Sequence, residues 1–303
     1  MREAIRSLLV PWDPRRLASD IDHIRFAVGA LAAPQARSAT TMREAEFRAF
    51  SQFGEDGIIQ WLLARVQIGR EVFVELGAGD YRESNTRFLL EYNDWRGLIV
   101  DAGRAPGRYL AWSGLLWRHS VKAVSAFVTA ENINELLAEV AGDIALLSVD
   151  IDGMDYWVLK ELTAVRPRIV VVEYNSVWGP KRTVSVPYDR EFKRSAAHWS
   201  NLYFGASLGA FCHLLSERGY RFVGSNSTGH NAFFVQQDFA GDLPSIRPAD
   251  GWVESRFRES RGRDGRLTYI DAHHHRRRAI ADLPLVDVVS GESLRVADLG
   301  ASA

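Results

Sequence analysis

Between residues 72 and 174 five short apolar runs recur, each closed by a turn and followed by an amphipathic stretch. Unbroken Val/Ile/Leu runs, rather than strict alternation, are the pattern of strands buried on both faces. The spacing predicts strands near 72–76, 98–101, 121–128, 144–150 and 168–174, with helices near 84–92, 132–141 and 154–163. Beyond them, Ala206 to Arg218 is periodic as a helix, and Arg221–Gly224 and Asn231–Val235 read as two more strands. The link Ser225–His230 is too short for a crossover, so this closing pair is antiparallel. The fold class is α/β: a doubly wound, Rossmann-like, mostly parallel sheet ending in an antiparallel hairpin.

The flanks differ in character. Residues 1–50 are helical in pattern, broken at Pro11, Pro14 and Pro34 and closed by a polar link, Ser38–Thr41. Ser51-Gln-Phe-Gly-Glu-Asp56 then precedes Ile58-Ile-Gln-Trp-Leu-Leu63, which reads as a capped helix ahead of the first strand. Residues 240–303 are richer in charge and proline. We therefore divide the chain into an N-terminal helical accessory region (1–50), a cofactor-binding domain (51–239) and a C-terminal appendage (240–303). The first and last are the expected surfaces for a homo-oligomer.

Composition removes several classes. Over 303 residues, 47% hydrophobic and 25% charged content is that of an ordinary soluble globular protein. A formal net charge of −1 gives no reason to expect a nucleic-acid or acidic-membrane partner. The single cysteine, Cys212, excludes an intrachain disulfide and any multi-cysteine zinc site, and suits a reducing cytoplasm. No apolar run approaches the roughly 20 residues that span a bilayer, and the N-terminus lacks the apolar core of a signal peptide. The expectation is a soluble, cytoplasmic protein.

The most telling chemistry lies in Val72-Phe-Val-Glu-Leu-Gly-Ala-Gly-Asp80, a buried strand running into a glycine turn that opens a helix. A dinucleotide site wants a third glycine, and Arg82 stands in its place. Glu75 and Asp80 bracket the turn. Two carboxylates repel a pyrophosphate but attract the ammonium and sulfonium of S-adenosylmethionine. The turn residues Glu75, Gly77, Ala78 and Gly79 are thus candidate cofactor contacts. A second strand ends at Asp101, an acid placed to accept both ribose hydroxyls.

In such sheets ligands sit at the carboxyl ends of the strands. Strand four ends in Asp150-Ile-Asp152-Gly-Met-Asp155 and strand five in Glu173-Tyr-Asn175. Hard oxygen donors from Asp150, Glu173 and Asn175 suit Mg²⁺; the other reading is a carboxylate network that orders the pocket. Asp150 is the candidate for activating an acceptor hydroxyl. Without a metal a base must do so, and His198 or His230 is the candidate. The long stretch from Asn175 to Tyr203, with Trp178, Tyr188, Trp199 and Tyr203, is either a wall for the acceptor or a loop packed down by its own aromatics.

Taken together, Ser51-Gln-Phe-Gly-Glu-Asp-Gly57, Val74-Glu-Leu-Gly-Ala-Gly79 with Glu83-Ser-Asn-Thr86, Ser148-Val-Asp-Ile-Asp-Gly-Met-Asp-Tyr-Trp157, Glu173-Tyr-Asn175 and Tyr203-Phe-Gly-Ala-Ser207 resemble class I S-adenosylmethionine-dependent methyltransferases. The likeness is closest to the FkbM-like group, over about residues 50–238, and implies methylation of a hydroxyl on a small sugar or natural product. By that resemblance Glu75, Gly77, Gly79 and Asn85 hold the methionine part and Asp101 the ribose. Metal-dependent O-methyltransferases place an acid–amide pair after strand five; here Tyr174 separates Glu173 from Asn175. Two rival readings are a nicotinamide-dependent oxidoreductase and a catalytically silent methyltransferase-like subunit that serves as a partner surface.

Overall fold

The computed structural model describes residues 14–256 and 259–300. The break expected at Pro11 lies outside the described residues. A 25-residue helix, α1 (Pro14–Ser38), leads the described chain. It runs through Pro34 rather than stopping there: burial of Ala33 and Ala36 outweighs the one amide bond that proline cannot make. Helix α2 (Glu55–Leu63) then precedes β1 (Val72–Leu76), α3 (Arg87–Tyr92), β2 (Arg96–Asp101), α4 (Ala105–Ser113), β3 (Val121–Ser125) and β4 (Gly142–Val149). After these come α5 (Asp155–Glu161), β5 (Val165–Glu173), β6 (Val184–Ser185), α6 (Leu208–Glu217), β7 (Tyr220–Ser225) and β8 (Asn231–Gln236).

Seven strands form one sheet in the order β3-β2-β1-β4-β5-β8-β7. The first five are parallel, and β8 runs antiparallel to both β5 and β7. The expected hairpin therefore closes the sheet, with β8 inserted between β5 and β7. Alternate residues of each strand feed opposite faces. Val72, Val74 and Leu76 pack with Leu147, Val149, Tyr156 and Phe211 on one side. Phe73, with Ile99, Leu146, Ile58 and Leu110, fills the other. The helix expected over 132–141 is shorter, Ile133–Leu136 followed by a 3₁₀ turn at Ala138–Val140, because Gly142 already begins β4.

The tail does not stand apart. Helix α7 (His273–Ala279) leads to β9 (Pro284–Asp287) and β10 (Ser293–Arg295), and β9 pairs antiparallel with β6 from the long stretch after β5. Trp178, Val184, Leu202 and Tyr203 share a buried cluster with Ile280, Leu285, Val296 and Leu299. The tail is thus the second half of a small layer whose first half is the insertion. No helix among the described residues is long and apolar enough to cross a membrane.

Candidate active site

At the carboxyl ends of β1, β2, β4 and β5 lies a cavity of about 1120 Å³, floored by the glycine turn and by Asp150 and Glu173. Gly77 has φ +81°, and a Cβ there would lie 1.6 Å from the Asp150 carbonyl oxygen, so only glycine lets the turn meet the end of β4. Gly79, at φ +56°, has no neighbour among the described residues within 4 Å of such a Cβ. One glycine serves close packing and the other leaves the turn open to the cavity. Asp101 bridges the mouth: its Oδ2 accepts the Gly79 amide at 2.9 Å and its Oδ1 the Gly103 amide at 2.7 Å.

Glu75 is buried among donors. Its Oε1 accepts the Asn85 amide (3.0 Å), and its Oε2 accepts the hydroxyls of Ser84 and Thr86 (2.5 Å each). Burial raises its pKa in spite of those bonds. Glu75 therefore shapes the Ser84–Thr86 turn as well as lining the cavity. Asn85, on the cavity wall, donates from Nδ2 to Ser148 Oγ at 3.1 Å. Ala78 lines the cavity with its neighbours Gly77 and Gly79.

The carboxylate cluster differs in membership from the sequence expectation. Asp150, Asp152 and Glu173 each offer an oxygen, all within 4.8 Å of one another. Asn175 does not join them. Its Nδ2 donates to the carbonyls of Leu202 and Phe204, and its Oδ1 accepts the Val177 amide, so the amide pins the insertion to β5. Asp152 takes its place through a left-handed backbone (φ 59°) and an ion pair with Arg194 at 3.0 Å. Burial first, then the charges of Asp152 and Asp155, raises the Asp150 pKa. Glu173 is raised well above the usual carboxylate range by burial and by Asp150. Two buried carboxyls so close retain a proton between them near neutral pH. Burial opposes the charge on Arg194, but Glu173 and Asp152 hold it protonated more firmly than usual.

The two candidate histidines separate. His198 lies off the cavity lining, its Nδ1 2.7 Å from Ser200 Oγ. His230 does line it, stacked on Phe53 with ring centroids 4.4 Å apart and Nε2 3.0 Å from Ser255 Oγ. Burial, then Arg194, lowers its pKa to about 4, which leaves it neutral but a weak base.

Sequence reasoning missed three contributors. Asp56 Oδ2 gathers the amides of Ala49, Phe50 and Ser51, and the loop it folds presents Gln52 and Phe53 to the cavity. Arg194 comes from the insertion, stacked over Phe204 at 3.7 Å. Asp152 joins Asp150 and Glu173 from the loop that follows β4. The insertion does wall the cavity, through Phe192, Lys193, Arg194 and Ser195, whereas Trp178 and Tyr203 pack its interior. An acidic pair with a glycine between them (Asp152-Gly-Met-Asp155) was the available signal for Asp152; an arginine in a basic loop carries none.

Residues 71–222 match the family model for the methyltransferase FkbM domain, half of the chain. The chain belongs to this family of S-adenosylmethionine-dependent methyltransferases. Among solved structures it is similar to an O-methyltransferase family protein from Burkholderia thailandensis (11% identity, TM-score 0.36), with 67% of this chain and 59% of that one covered. Another is the O-methyltransferase TomG from Streptomyces achromogenes, solved with SAM (17% identity, TM-score 0.36; 76% and 92% covered). A third is the Methanococcus jannaschii fibrillarin pre-rRNA processing protein (10% identity, TM-score 0.37; 61% and 75% covered). The chain thus spans about three fifths of the length of the first of these. No curated protein matches it.

Proposed function

We propose that this protein transfers the methyl group of S-adenosylmethionine to a hydroxyl oxygen of a small polyhydroxylated acceptor, a sugar or natural product. The observation that carries the proposal is the union, in one cavity, of the acid-flanked glycine turn and the buried Asp150–Glu173 pair. At about 1120 Å³ the cavity exceeds the roughly 300–1,000 Å³ of a single small-molecule site, which suits a cofactor beside an acceptor.

Bound S-adenosylmethionine supplies a methyl group on a sulfonium, and transfer leaves a neutral thioether. In this reading the turn Gly77–Gly79, with Glu75 and Asn85, holds the methionine end, and the Asp101 carboxylate accepts the ribose hydroxyls. Asp150 and Glu173 accept the acceptor's proton as its oxygen forms the new bond to carbon. Transfer is an in-line displacement, so holding the two reactants in register supplies most of the rate. Phe192 and Arg194 line the cavity beside them, and Arg194, paired with Asp152, offsets the negative charge of the cluster before the proton is taken up.

The trio Asp150, Asp152 and Glu173 also fits Mg²⁺: three hard carboxylate oxygens lie within 4.8 Å of one another, and an ion there would compete with Arg194 for Asp152. Bound there, the ion would lower the pKa of the acceptor hydroxyl. The test is single-turnover methyl transfer to a panel of hydroxylated acceptors, with and without chelator. Release of S-adenosylhomocysteine that tracks acceptor consumption supports the reading; transfer to nitrogen or carbon acceptors alone overturns it.

A further inference from the structure

Helix α1 carries a second apolar stripe that faces away from the body of the protein. Leu17, Ile21, Ile24, Val28 and Leu31 are spaced four, three, four and three residues apart, and all are 47–82% exposed. That spacing is the 3.5-residue repeat of a helix packed against another helix. The stripe holds no charged residue. Ala18, Ala27 and Ala32 flank it, small enough to let a second backbone come close. β-branched Ile21 and Val28 take the a-like positions and Leu17 and Leu31 two of the three d-like ones, the distribution that favours two strands; Ile24, at the middle d-like position, is the exception.

The opposite face of α1 is firmly anchored. Asp22 accepts from Arg87 Nη2 at 2.9 Å and from Tyr109 Oη at 2.7 Å, and the Arg87 guanidinium lies 3.8 Å from the Phe50 ring centroid. A Cβ on Gly29 would come within 2.7 Å of Ala49 and Phe88, so the helix presses hard on the body there. The outer stripe is therefore held in place before any partner arrives.

We propose that this stripe is a dimer seam, occupied by α1 of a second copy of this chain. Together the five side chains expose roughly 500 Å² per protomer, so about 1,000 Å² is buried in a symmetric pair, the lower limit for a specific interface. A symmetric interface must be complementary to itself, and a heptad stripe is. Ile24 is the middle residue of the five. A two-fold axis that overlaps the stripes fully brings Ile24 against its own copy whether the helices run parallel or antiparallel. The seam also reaches the active site: Arg25, beside Ile24, donates to the Ala49 carbonyl at 2.7 Å and lines the main cavity.

The test is the mass of the full chain in solution by light scattering and sedimentation velocity. The expected result is a dimer at tens of micromolar, with Ile24→Glu raising its dissociation constant about 100-fold while cofactor affinity stays within twofold. Ile24→Cys should form a disulfide-linked dimer on mild oxidation, and Arg16→Cys, off the stripe, should not. A wild-type monomer at that concentration overturns the proposal, and so does a monomer that instead pellets with anionic lipid vesicles. A dimer that Ile24→Glu leaves intact, or that Ile24→Cys fails to cross-link, equally places the seam elsewhere.

Discussion

Gly77 rests against the backbone of Asp150: a Cβ at the glycine would lie 1.6 Å from the Asp150 carbonyl oxygen. The glycine turn and the carboxylate cluster are therefore one mechanical unit. Gly77→Ala must move the turn, the end of β4, or both, and adds the strain of a side chain at φ +81°. We expect a loss of at least about 3 kcal/mol in chemical denaturation, with cofactor affinity falling too. Gly79→Ala meets no neighbour and should cost only about 1 kcal/mol, the left-handed penalty alone.

Asp150→Asn keeps the shape of the side chain and removes its capacity to take a proton. Turnover should fall by about 10²–10⁴-fold while cofactor affinity changes by less than about threefold. Equal losses in both would move Asp150 from acceptor activation to cofactor binding. Glu173→Gln should behave alike, and the double variant should lose little more than either single one, because the two carboxyls act as a pair.

The histidines give a contrasting expectation. His198 lies off the cavity, so His198→Ala should leave turnover within about twofold of wild type. His230→Gln should lower turnover modestly through loss of the Phe53 stack. It should leave the shape of the pH–rate profile unchanged, because a group whose pKa is lowered to about 4 does not titrate near neutrality.

Stability against acid tests the same burial. The folded pKa of His230 lies below its ordinary 6.5, so its contribution to stability is present above about 6.5 and lost as the pH falls through about 4. In His230→Gln that fraction of the acid sensitivity should vanish. Denaturation midpoints of both proteins, measured from pH 7 to pH 4, check this: parallel curves would contradict it.

Burial of Asp150 and Glu173 predicts the sign of one further dependence. The folded pair holds a proton more tightly than free carboxyls do, so base function and any Mg²⁺ affinity should both strengthen as the pH rises through neutrality. Magnesium titration by calorimetry at two pH values reads this directly, and a weaker affinity at the higher pH would contradict it.

What the sequence disclosed was set by period and by strand ends. A short apolar run such as Val72–Leu76, ended by a glycine turn, reads as a strand covered on both faces, and the short link Ser225–His230 forces an antiparallel pair. The acids that close those strands, Asp101, Asp150 and Glu173, were legible as residues of the sheet's carboxyl edge for the same reason, and there they line the cavity. Side-chain commitment was not legible: Asn175 follows Glu173 at strand spacing, yet its amide is consumed by the backbone of Leu202, Phe204 and Val177. Nor was the pairing of β6 with β9, which joins residues about a hundred positions apart through two short strands without a distinctive pattern.

The central claim is that the acid-flanked glycine turn selects a cationic methyl donor over an anionic dinucleotide. Isothermal titration of the full chain with S-adenosylmethionine, S-adenosylhomocysteine and NADH tests it most directly. The account predicts micromolar binding of the first two, weakened about tenfold or more by Asp101→Ala, and no measurable heat with NADH. Saturable binding of NADH together with no heat from S-adenosylmethionine would contradict it.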